Sequence, residues 1–229
     1  MKIISWNINK ASYQRKNLWN FLKEENFDIG LFQEVYMIPY SIRKYYLIVR
    51  GEMKAILIKK QITEKIIVNN FNLKKDDVFD IFDLCEIDFF KKKLVIINIY
   101  NYIGINEKVF SIFVDFIINF IKVNENRIFI LAGDFNMDEK FKDNLLKWGL
   151  LMKDFKNKLY DLNFKEVLNE SLNQFERYSF FHQGNKKYYQ LDYMFVSKQL
   201  KIKRFFNKKE EVYNKNSILS DHLPIIIEI

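Results

Sequence analysis

Two short segments, far apart in the chain, combine residue types that can carry out phosphate chemistry. Residues 133–136 (Gly-Asp-Phe-Asn) follow an apolar run, and residues 220–224 (Ser-Asp-His-Leu-Pro) lead into another. Carboxylate, amide and imidazole groups at the mouth of a buried strand are costly to desolvate unless they have partners, a metal or a catalytic task. Four specified residues match by chance in a chain of this length only about once in a thousand. Two such segments, in this order, indicate a site that cleaves phosphodiester bonds.

The acidic and amide side chains in these and two earlier segments suit a hard divalent cation. Glu34 and Asp221, helped by Asn7, would form an oxygen-rich site for Mg²⁺ or Mn²⁺, which prefer carboxylates and retain several waters. The sequence holds one cysteine and two histidines. That supply of sulfur and nitrogen ligands does not suit a structural zinc site.

The remaining polar residues can divide the catalytic work. Asp134 is a candidate base that orients or deprotonates an attacking water, and Asn136 can hold Asp134 and the substrate in place. His222 can donate to a phosphate oxygen and stabilise the charge of an in-line displacement, while Asp192 could hold His222 in one tautomer. Each residue alone has an ordinary alternative, such as a turn or helix cap for Asp134 or a surface position for Asp192. The ordered set favours a shared site.

Hydrophobic periodicity predicts the elements that must position these residues. Helices are predicted at 16–25 and 107–122, with a third beginning near Asp138. Strands are predicted at 2–8, 28–35, 45–49, 55–58, 79–89, 94–99, 127–132, 191–196 and 223–229, whereas 149–174 shows no clean period. This mixed α/β pattern indicates layered sheets flanked by helices. Two prolines and six glycines provide no linker, so a single domain spanning 1–229 is expected.

Several of the predicted strands end in a carboxylate or an amide. Asn7, Glu34 and Asn98 lie at or near the ends of three strands, and Asp134 with Asn136 follows a fourth. Functional sites of α/β folds gather at the carboxyl ends of strands. One polar strand end is unremarkable, but four favour a common site.

The composition of the chain indicates which binding partners and which cellular compartment to expect. The net charge of +8 fits attraction to nucleic acid or an anionic lipid surface, although the codon bias of an AT-rich genome explains it equally well. The lone Cys85 is interpreted as a core residue, and a chain without disulfides points to a reducing, cytoplasmic location. The apolar stretch 109–123 is too short to span a membrane, and the first residues do not form a signal peptide. His182 is interpreted as a loop or core residue.

The segments 4–8, 31–34, 133–136, 191–197 and 220–224 together resemble the endonuclease/exonuclease/phosphatase superfamily. The resemblance implies a four-layer αββα sandwich of two packed mixed β-sheets flanked by helices, with the site at one end of the sheets. It also implies a role for each matching residue. Glu34 would be the central metal ligand, with Asn7 and Asp221 nearby. Asp134 would align the water with help from Asn136, and His222, supported by Asp192, would bind the scissile phosphate.

Three departures separate the chain from the apurinic-site endonucleases of that superfamily. Lys10-Ala11-Ser12 replaces their usual glycine-containing turn, and Gln190 replaces an arginine. Their strand-end tyrosine aligns here with Asn98 if strand alternation sets the register, or with Tyr100 in the other register. The superfamily is therefore supported, and the apurinic-site subfamily is not.

The leading hypothesis is a divalent-metal-dependent nuclease that acts on DNA, with RNA also open as a substrate. The alternative from the same chemistry is a phosphatase or phospholipase acting on inositol phosphates or phospholipid head groups. A third hypothesis is a non-catalytic nucleic-acid-binding protein, which the intact set of polar residues argues against. A nucleic-acid partner is expected, with neither a membrane nor an obligate protein partner.

Overall fold

The computed structural model describes residues 1–63, 67, 81–89, 91–102, 105–168, 177–184, 186–206, 208–214 and 217–229. Two sequence predictions extend beyond them. Residues 79 and 80 of the predicted strand 79–89 lie outside the described residues, as do residues 169–174 of the stretch that showed no clean period.

The first sheet has six strands, and its order brings the two ends of the chain together. The strands are β1 (Lys2–Ala11), β2 (Ile29–Val35), β3 (Tyr46–Arg50), β4 (Lys54–Lys59), β12 (Arg204–Phe206) and β15 (Ile225–Glu228), in the order β12-β15-β1-β2-β4-β3. The central strands β1 and β2 are parallel, and their neighbours are antiparallel. The carboxyl ends of β1 and β2 therefore meet at one edge.

The second sheet has five strands built on the same plan. They are β5 (Phe82–Phe89), β6 (Lys92–Tyr100), β7 (Ile128–Asp134), β8 (Phe164–Glu166) and β11 (Asp192–Ser197), in the order β5-β6-β7-β11-β8. Strands β6 and β7 are parallel at its centre. Two short antiparallel pairs lie outside these sheets: β9 (Phe180–His182) with β10 (Lys187–Tyr189), and β13 (Tyr213–Asn214) with β14 (Ser217–Ile218).

Among the described residues, the helices are α1 (Lys16–Glu25), α2 (Tyr40–Arg43), α3 (Glu107–Val123), α4 (Leu146–Asp161) and α5 (Lys209–Val212). A helix was predicted to begin near Asp138, but α4 begins later, after a 3-10 turn at Asp143–Leu145. The reason is local, because the Asp138 carboxylate accepts the Lys140 amide at 2.9 Å and forms a turn there. In the described part of the chain, no helix has the length and apolarity needed to cross a bilayer.

Three apolar layers show how the sheets and helices stack. Residues such as Leu31, Ile96 and Ile130 fill the space between the two sheets. Phe155 belongs to the layer between the second sheet and α3 and α4, and Trp19 to the layer beside α1 on the first sheet. Alternate residues of each strand supply the two faces, and each buried large side chain contributes about 1.5–3 kcal/mol. This arrangement confirms the predicted four-layer αββα sandwich.

Cys85 lies in the layer between the sheets and is fully buried. Burial raises the pKa of its thiol, which keeps it protonated and unreactive. Its environment is that of a small core residue.

Gly133 occupies a backbone conformation that other residues rarely adopt. Its φ is 150°, and a Cβ there would lie 1.9 Å from the Ile99 carbonyl oxygen of the neighbouring strand. We expect Gly133→Ala to lower the free energy of unfolding by about 3 kcal/mol, because both the conformation and the contact are strained. Urea denaturation measures the change.

A matched control for this substitution is Gly184→Ala, whose added Cβ would meet the ring of the exposed His182 at 3.1 Å. That ring can move aside, so we expect a change of less than about 0.5 kcal/mol. Equal effects of the two substitutions would contradict the assigned role of Gly133.

Candidate active site

The polar ends of β1, β2 and β7 are joined by a single amide. The Asn7 Nδ2 group donates to Glu34 Oε1 at 3.1 Å and to Asp134 Oδ2 at 2.9 Å. Asn7 and Glu34 belong to the first sheet, and Asp134 belongs to the second. The amide therefore connects the two sheets at the edge where their parallel strands end.

Backbone strain places Glu34 in the site. Its φ is 54°, a left-handed conformation that is uncommon for a residue other than glycine. Because this conformation interrupts the alternation of β2, consecutive side chains both reach the second sheet: Gln33 donates to Asn98 at 2.6 Å, and Glu34 accepts from the Tyr100 hydroxyl at 3.0 Å. Strain of this kind clusters at functional sites.

Of the two residues that the sequence offered at the end of β6, Tyr100 is the one that contacts Glu34. Asn98 is fully buried between the sheets, where its amide donates to the carbonyl groups of Phe32 and Ala55. Residues 98 and 100 point to the same face of β6, so alternation cannot separate them, and Tyr100 lies one step closer to the site. Burial, followed by the nearby Glu34 carboxylate, raises the pKa of Tyr100 and keeps its hydroxyl protonated.

Asp134 is buried and held by donors from both sides. Its Oδ1 accepts the backbone amide of Asn136 at 2.8 Å, and its Oδ2 accepts the side-chain amides of Asn7 and Asn136 at 2.9 and 3.1 Å. Burial raises the pKa of Asp134 above the usual carboxyl range, although the nearby His222 opposes this shift. A carboxylate shifted toward neutrality is suited to accept a proton from water.

His222 faces Asp134 across a short gap and is fixed by the surrounding structure. Its Nε2 lies 3.9 Å from Asp134 Oδ2, and its Nδ1 lies 2.7 Å from Asp192 Oδ2. The Trp6 indole donates to the His222 carbonyl group at 2.8 Å, and the Phe180 ring packs on the imidazole with centroids 4.7 Å apart. The ring nitrogen Nδ1 is thus hydrogen-bonded to Asp192, and the other ring nitrogen, Nε2, is directed toward Asp134.

The charge state of His222 follows from its neighbours. Burial alone would lower the pKa of the imidazole, but the carboxylates of Asp192 and Asp134 outweigh burial and raise it well above the ordinary value. The ring is therefore protonated at neutral pH and can donate from Nε2. The structure brings together the predicted residues Asp134, Asn136, Asp192 and His222.

Asp192 is positioned by a residue that the sequence did not single out. The Ser179 hydroxyl oxygen accepts the backbone amides of Leu191 at 3.0 Å and Asp192 at 2.8 Å. Within the second sheet, Asp192 of β11 pairs in register with Asp134 of β7. No motif surrounds Ser179, and its role depends on a contact across thirteen residues, so the sequence carried no signal for it.

Replacing Asp192 with asparagine is expected to lower the pKa of His222. The carboxylate charge that raises this pKa is lost, while the burial that lowers it remains. The titration midpoint should move to lower pH, toward or below the ordinary value of about 6.5. NMR of histidine-labelled protein measures it, with His182, the second histidine of the chain, as the internal reference. An unchanged midpoint for His222 would contradict the assigned coupling.

Asp221 lies beside this cluster rather than in it. Its Oδ1 accepts the side-chain amide of Asn9 at 2.9 Å, and Asn9 itself has a left-handed φ of 46°. Glu34 and Asp221 thus each contact a different asparagine of the segment that ends β1. Asn9 is a second residue that the sequence reading passed over.

Two sets of residues are candidates for holding a divalent cation. Asp134, Asp192 and His222 have ligand atoms that all lie within 4.8 Å of one another, and Asp192 Oδ1 is buried without a hydrogen-bond partner in the described part of the chain. All three residues are buried, however, and leave little room for the several waters that a magnesium ion retains. Glu34 is partly exposed and offers carboxylate oxygen next to Asn7, which fits a hydrated cation better.

The amide of Asn7 constrains that second candidate set. Its nitrogen faces the two carboxylates, while its oxygen accepts the backbone amide of Asn9 at 2.9 Å. The oxygen would face Glu34 only after the amide turned over. In the structure Asn7 therefore acts as a bridge between carboxylates, and its role as a metal ligand stays a prediction.

Two cavities are lined by neighbours of the Asp134–His222 pair, and Phe180, which packs on the His222 ring, lines both. One, of about 520 Å³, lies against Asn136 and has mainly apolar and aromatic walls, among them Tyr102, Trp148 and Tyr189. The other, of about 390 Å³, is lined by Arg15, Ser220 and Asp221, among others. His182, exposed at the end of β9, lines both. It is a strand residue that pairs with Lys187, so the interpretation of it as a loop or core residue was wrong.

The sequence of the chain matches a known protein family. Residues 4–222 match the model of the endonuclease/exonuclease/phosphatase family. No curated protein matches the chain by sequence.

Solved structures resemble the chain over its whole length. The 3′ phosphatase NExo from Neisseria, bound to product DNA hairpin, has a TM-score of 0.72 at 16% identity, covering 100% of this chain and 99% of that one. The endonuclease domain of TRAS1, a telomere-specific non-LTR retrotransposon, gives 0.70 at 14%, covering 100% and 97%. The AP endonuclease LMAP from Leishmania major gives 0.66 at 17%, covering 99% and 86%. At these identities the similarity establishes the fold.

Proposed function

We propose that this chain, which belongs to the endonuclease/exonuclease/phosphatase family, hydrolyses phosphodiester bonds in nucleic acid, with DNA as the preferred substrate. The observation that carries the proposal is that a buried carboxylate and a protonated imidazole face each other. Asp134 Oδ2 and His222 Nε2 lie 3.9 Å apart, and each is held by its own set of hydrogen bonds. One group can accept a proton while the other donates a hydrogen bond to a phosphate oxygen.

The roles of the residues follow from their protonation. Asp134, with its raised pKa, orients a water and takes its proton as the water attacks phosphorus. His222 donates from Nε2 to a non-bridging oxygen and stabilises the negative charge that builds up there. Asp192 holds the imidazole through Nδ1, and Asn136 holds Asp134. The bond from phosphorus to the leaving oxygen breaks on the side opposite the water.

The family is typically metal-dependent, and Glu34 is the residue of this chain that best fits a hydrated cation. When bound there, Mg²⁺ or Mn²⁺ would supply positive charge to the phosphate and the leaving oxygen. Tyr100 and Asn7 hold the Glu34 carboxylate in position through its Oε1.

The two cavities support a diester that carries organic groups on both sides of the phosphate. The larger one, against Asn136, has aromatic walls on which a sugar or base can pack. The smaller one carries Arg15, and the net charge of +8 favours a polyanion. The solved relatives include a protein bound to product DNA and an AP endonuclease. These features together favour nucleic acid.

The second candidate function, hydrolysis of inositol phosphates or phospholipid head groups, uses the same reacting groups. Its weakness is the larger cavity, because apolar walls offer little to a head group that carries several phosphates. A non-catalytic role is disfavoured by the intact arrangement of Asp134, Asp192 and His222.

A cleavage assay at low salt tests the proposal. The substrates are labelled single- and double-stranded DNA, RNA, a duplex with an abasic site, an inositol polyphosphate and phospholipid vesicles, each with Mg²⁺, Mn²⁺ or chelator. We expect metal-dependent cleavage of DNA that Asp134→Asn abolishes. Turnover restricted to the inositol polyphosphate or the vesicles would replace the proposal with the second candidate, and no turnover by the folded protein would reject both.

A further inference from the structure

A buried charge cluster lies on the helix side of the second sheet. Lys156 of α4 is only 7% exposed, and its Nζ lies 2.9 Å from Glu166 Oε2 and 3.1 Å from Glu139 Oε2. The ammonium group also lies over the Tyr193 ring, 5.7 Å from its centroid. Tyr193 directly follows Asp192, and adjacent strand residues point to opposite faces. The cluster is therefore located behind the catalytic face of β11.

A single glutamine connects this cluster to both halves of the candidate active site. The Gln190 side-chain amide donates to Glu166 Oε1 at 2.7 Å, and its backbone amide donates to Asp138 Oδ2 at 3.0 Å. Gln190 precedes Asp192 by two residues, and Asp138 follows Asn136 by two residues. Lys156 also contacts the segment after Asn136, through its ion pair with Glu139. The segments that carry Asn136 and Asp192 thus share one buried network.

Stability alone does not explain such a network. Burying an ion pair costs solvation, and apolar residues of similar size commonly serve the fold as well or better. Apolar packing is not directional, whereas a charged hydrogen-bonded network fixes distances and angles between the segments that it joins. Here the Tyr160 hydroxyl adds a 2.6 Å bond to Glu166, so the carboxylate is held from three sides.

We propose that Lys156, Glu166 and Gln190 are positioning residues that set the Asp192–His222 pair against Asp134 and Asn136. The inference rests on the proposed function of that site. The quantity at stake is the relative position of His222 Nε2 and Asp134 Oδ2, which lie 3.9 Å apart, because one must reach a phosphate oxygen while the other reaches the attacking water. A displacement of about 1 Å in such an arrangement can lower the rate about a hundredfold.

The deciding variant is Gln190→Met, which removes the side-chain bond to Glu166 with little change in volume and leaves Lys156 paired with Glu166. We expect kcat to fall about tenfold or more while KM changes less than about threefold, because alignment rather than binding is lost. In the metal-free protein at fixed pH, the NMR signals of the His222 ring should move, and those of His182 should not. The NMR readout needs no substrate.

A second pair of variants tests the charge itself. Lys156→Met should lower kcat in the same way, and Lys156→Arg, which keeps the charge, should restore most of it. Lys158→Met is the matched control, since Lys158 lies on the same helix in an exposed pair with Asp154, and it should leave kcat and the His222 signals unchanged. Should Lys156→Met fail to fold, Gln190→Met decides the question.

The outcomes separate this inference from the proposed function. Gln190→Met with kcat within twofold of the parent and an unmoved His222 signal would overturn the positioning role, even if its melting temperature fell. A wild-type protein that cleaves none of the substrates would reject the proposed function, and the His222 signal would still show whether the network positions the ring.

Discussion

His222→Ala is expected to lower kcat for phosphodiester cleavage by about 10²–10⁴-fold, with a much smaller change in substrate binding. The imidazole is protonated because Asp192 and Asp134 raise its pKa, and its Nε2 is the group that faces Asp134 across 3.9 Å. Removing it takes away the donor to the phosphate oxygen at the stage where charge builds up. Single-turnover rates and equilibrium binding of the same labelled substrate measure the two effects separately.

The second histidine of the chain provides the control for this experiment. His182 is exposed at the end of β9, and its ring lies 6.1 Å from that of Phe180. His182→Ala should change kcat by less than about threefold, because its exposed ring belongs to the walls of the cavities, where a loss of contact acts on KM. A loss below tenfold for His222→Ala, in a protein that still melts cooperatively, would remove His222 from the catalytic set.

The layered fold was open to prediction because its signals are local. The strands 2–8 and 94–99 were read from short apolar runs, and they lie within β1 (Lys2–Ala11) and β6 (Lys92–Tyr100). The helix predicted at 16–25 coincides with α1 (Lys16–Glu25). Such runs record burial, and burial is what periodicity reports. Sheet order was not readable in this way, because it depends on pairings between distant segments.

The candidate site was predictable in its residue types and less so in its geometry. Asp134, Asp192 and His222 each stood beside an apolar strand, and the structure brings them together. The sequence left the choice between Asn98 and Tyr100 open because both lie on the same face of β6, and only the depth of the site between the sheets decides which one reaches Glu34.

The left-handed backbone of Glu34 was likewise invisible in the sequence, because a strained φ at a residue other than glycine has no compositional signature. Its effect is large, since it lets two consecutive side chains of β2 point toward the second sheet. Ser179 escaped notice for a related reason: its bond to the Asp192 amide is formed only once the chain has folded. Sequence patterns identified the candidate reacting groups, while tertiary contacts determine how these groups are oriented.

Glu34→Gln is expected to abolish metal-dependent turnover, with a loss of about 10³-fold or more in kcat at saturating Mg²⁺, while the fold survives. The substitution keeps the shape of the side chain and an oxygen that can accept from Asn7 and Tyr100, which contact Glu34 at 3.1 and 3.0 Å. What it removes is the charge that a divalent cation requires. Activity as a function of Mg²⁺ and Mn²⁺ concentration measures the loss, and calorimetric titration with Mn²⁺ measures binding directly.

Tyr100→Phe separates the charge of Glu34 from its orientation. It deletes the hydroxyl that donates to Glu34 Oε1 and leaves the carboxylate in place. We expect a loss of about tenfold, because Asn7 still holds the carboxylate and one hydrogen bond of this kind is worth about 1.5 kcal/mol. Chelator should abolish cleavage by this variant and by the parent protein alike. Normal cleavage by Glu34→Gln would instead place the cation at the buried Asp134, Asp192 and His222 cluster, whose ligand atoms lie within 4.8 Å of one another.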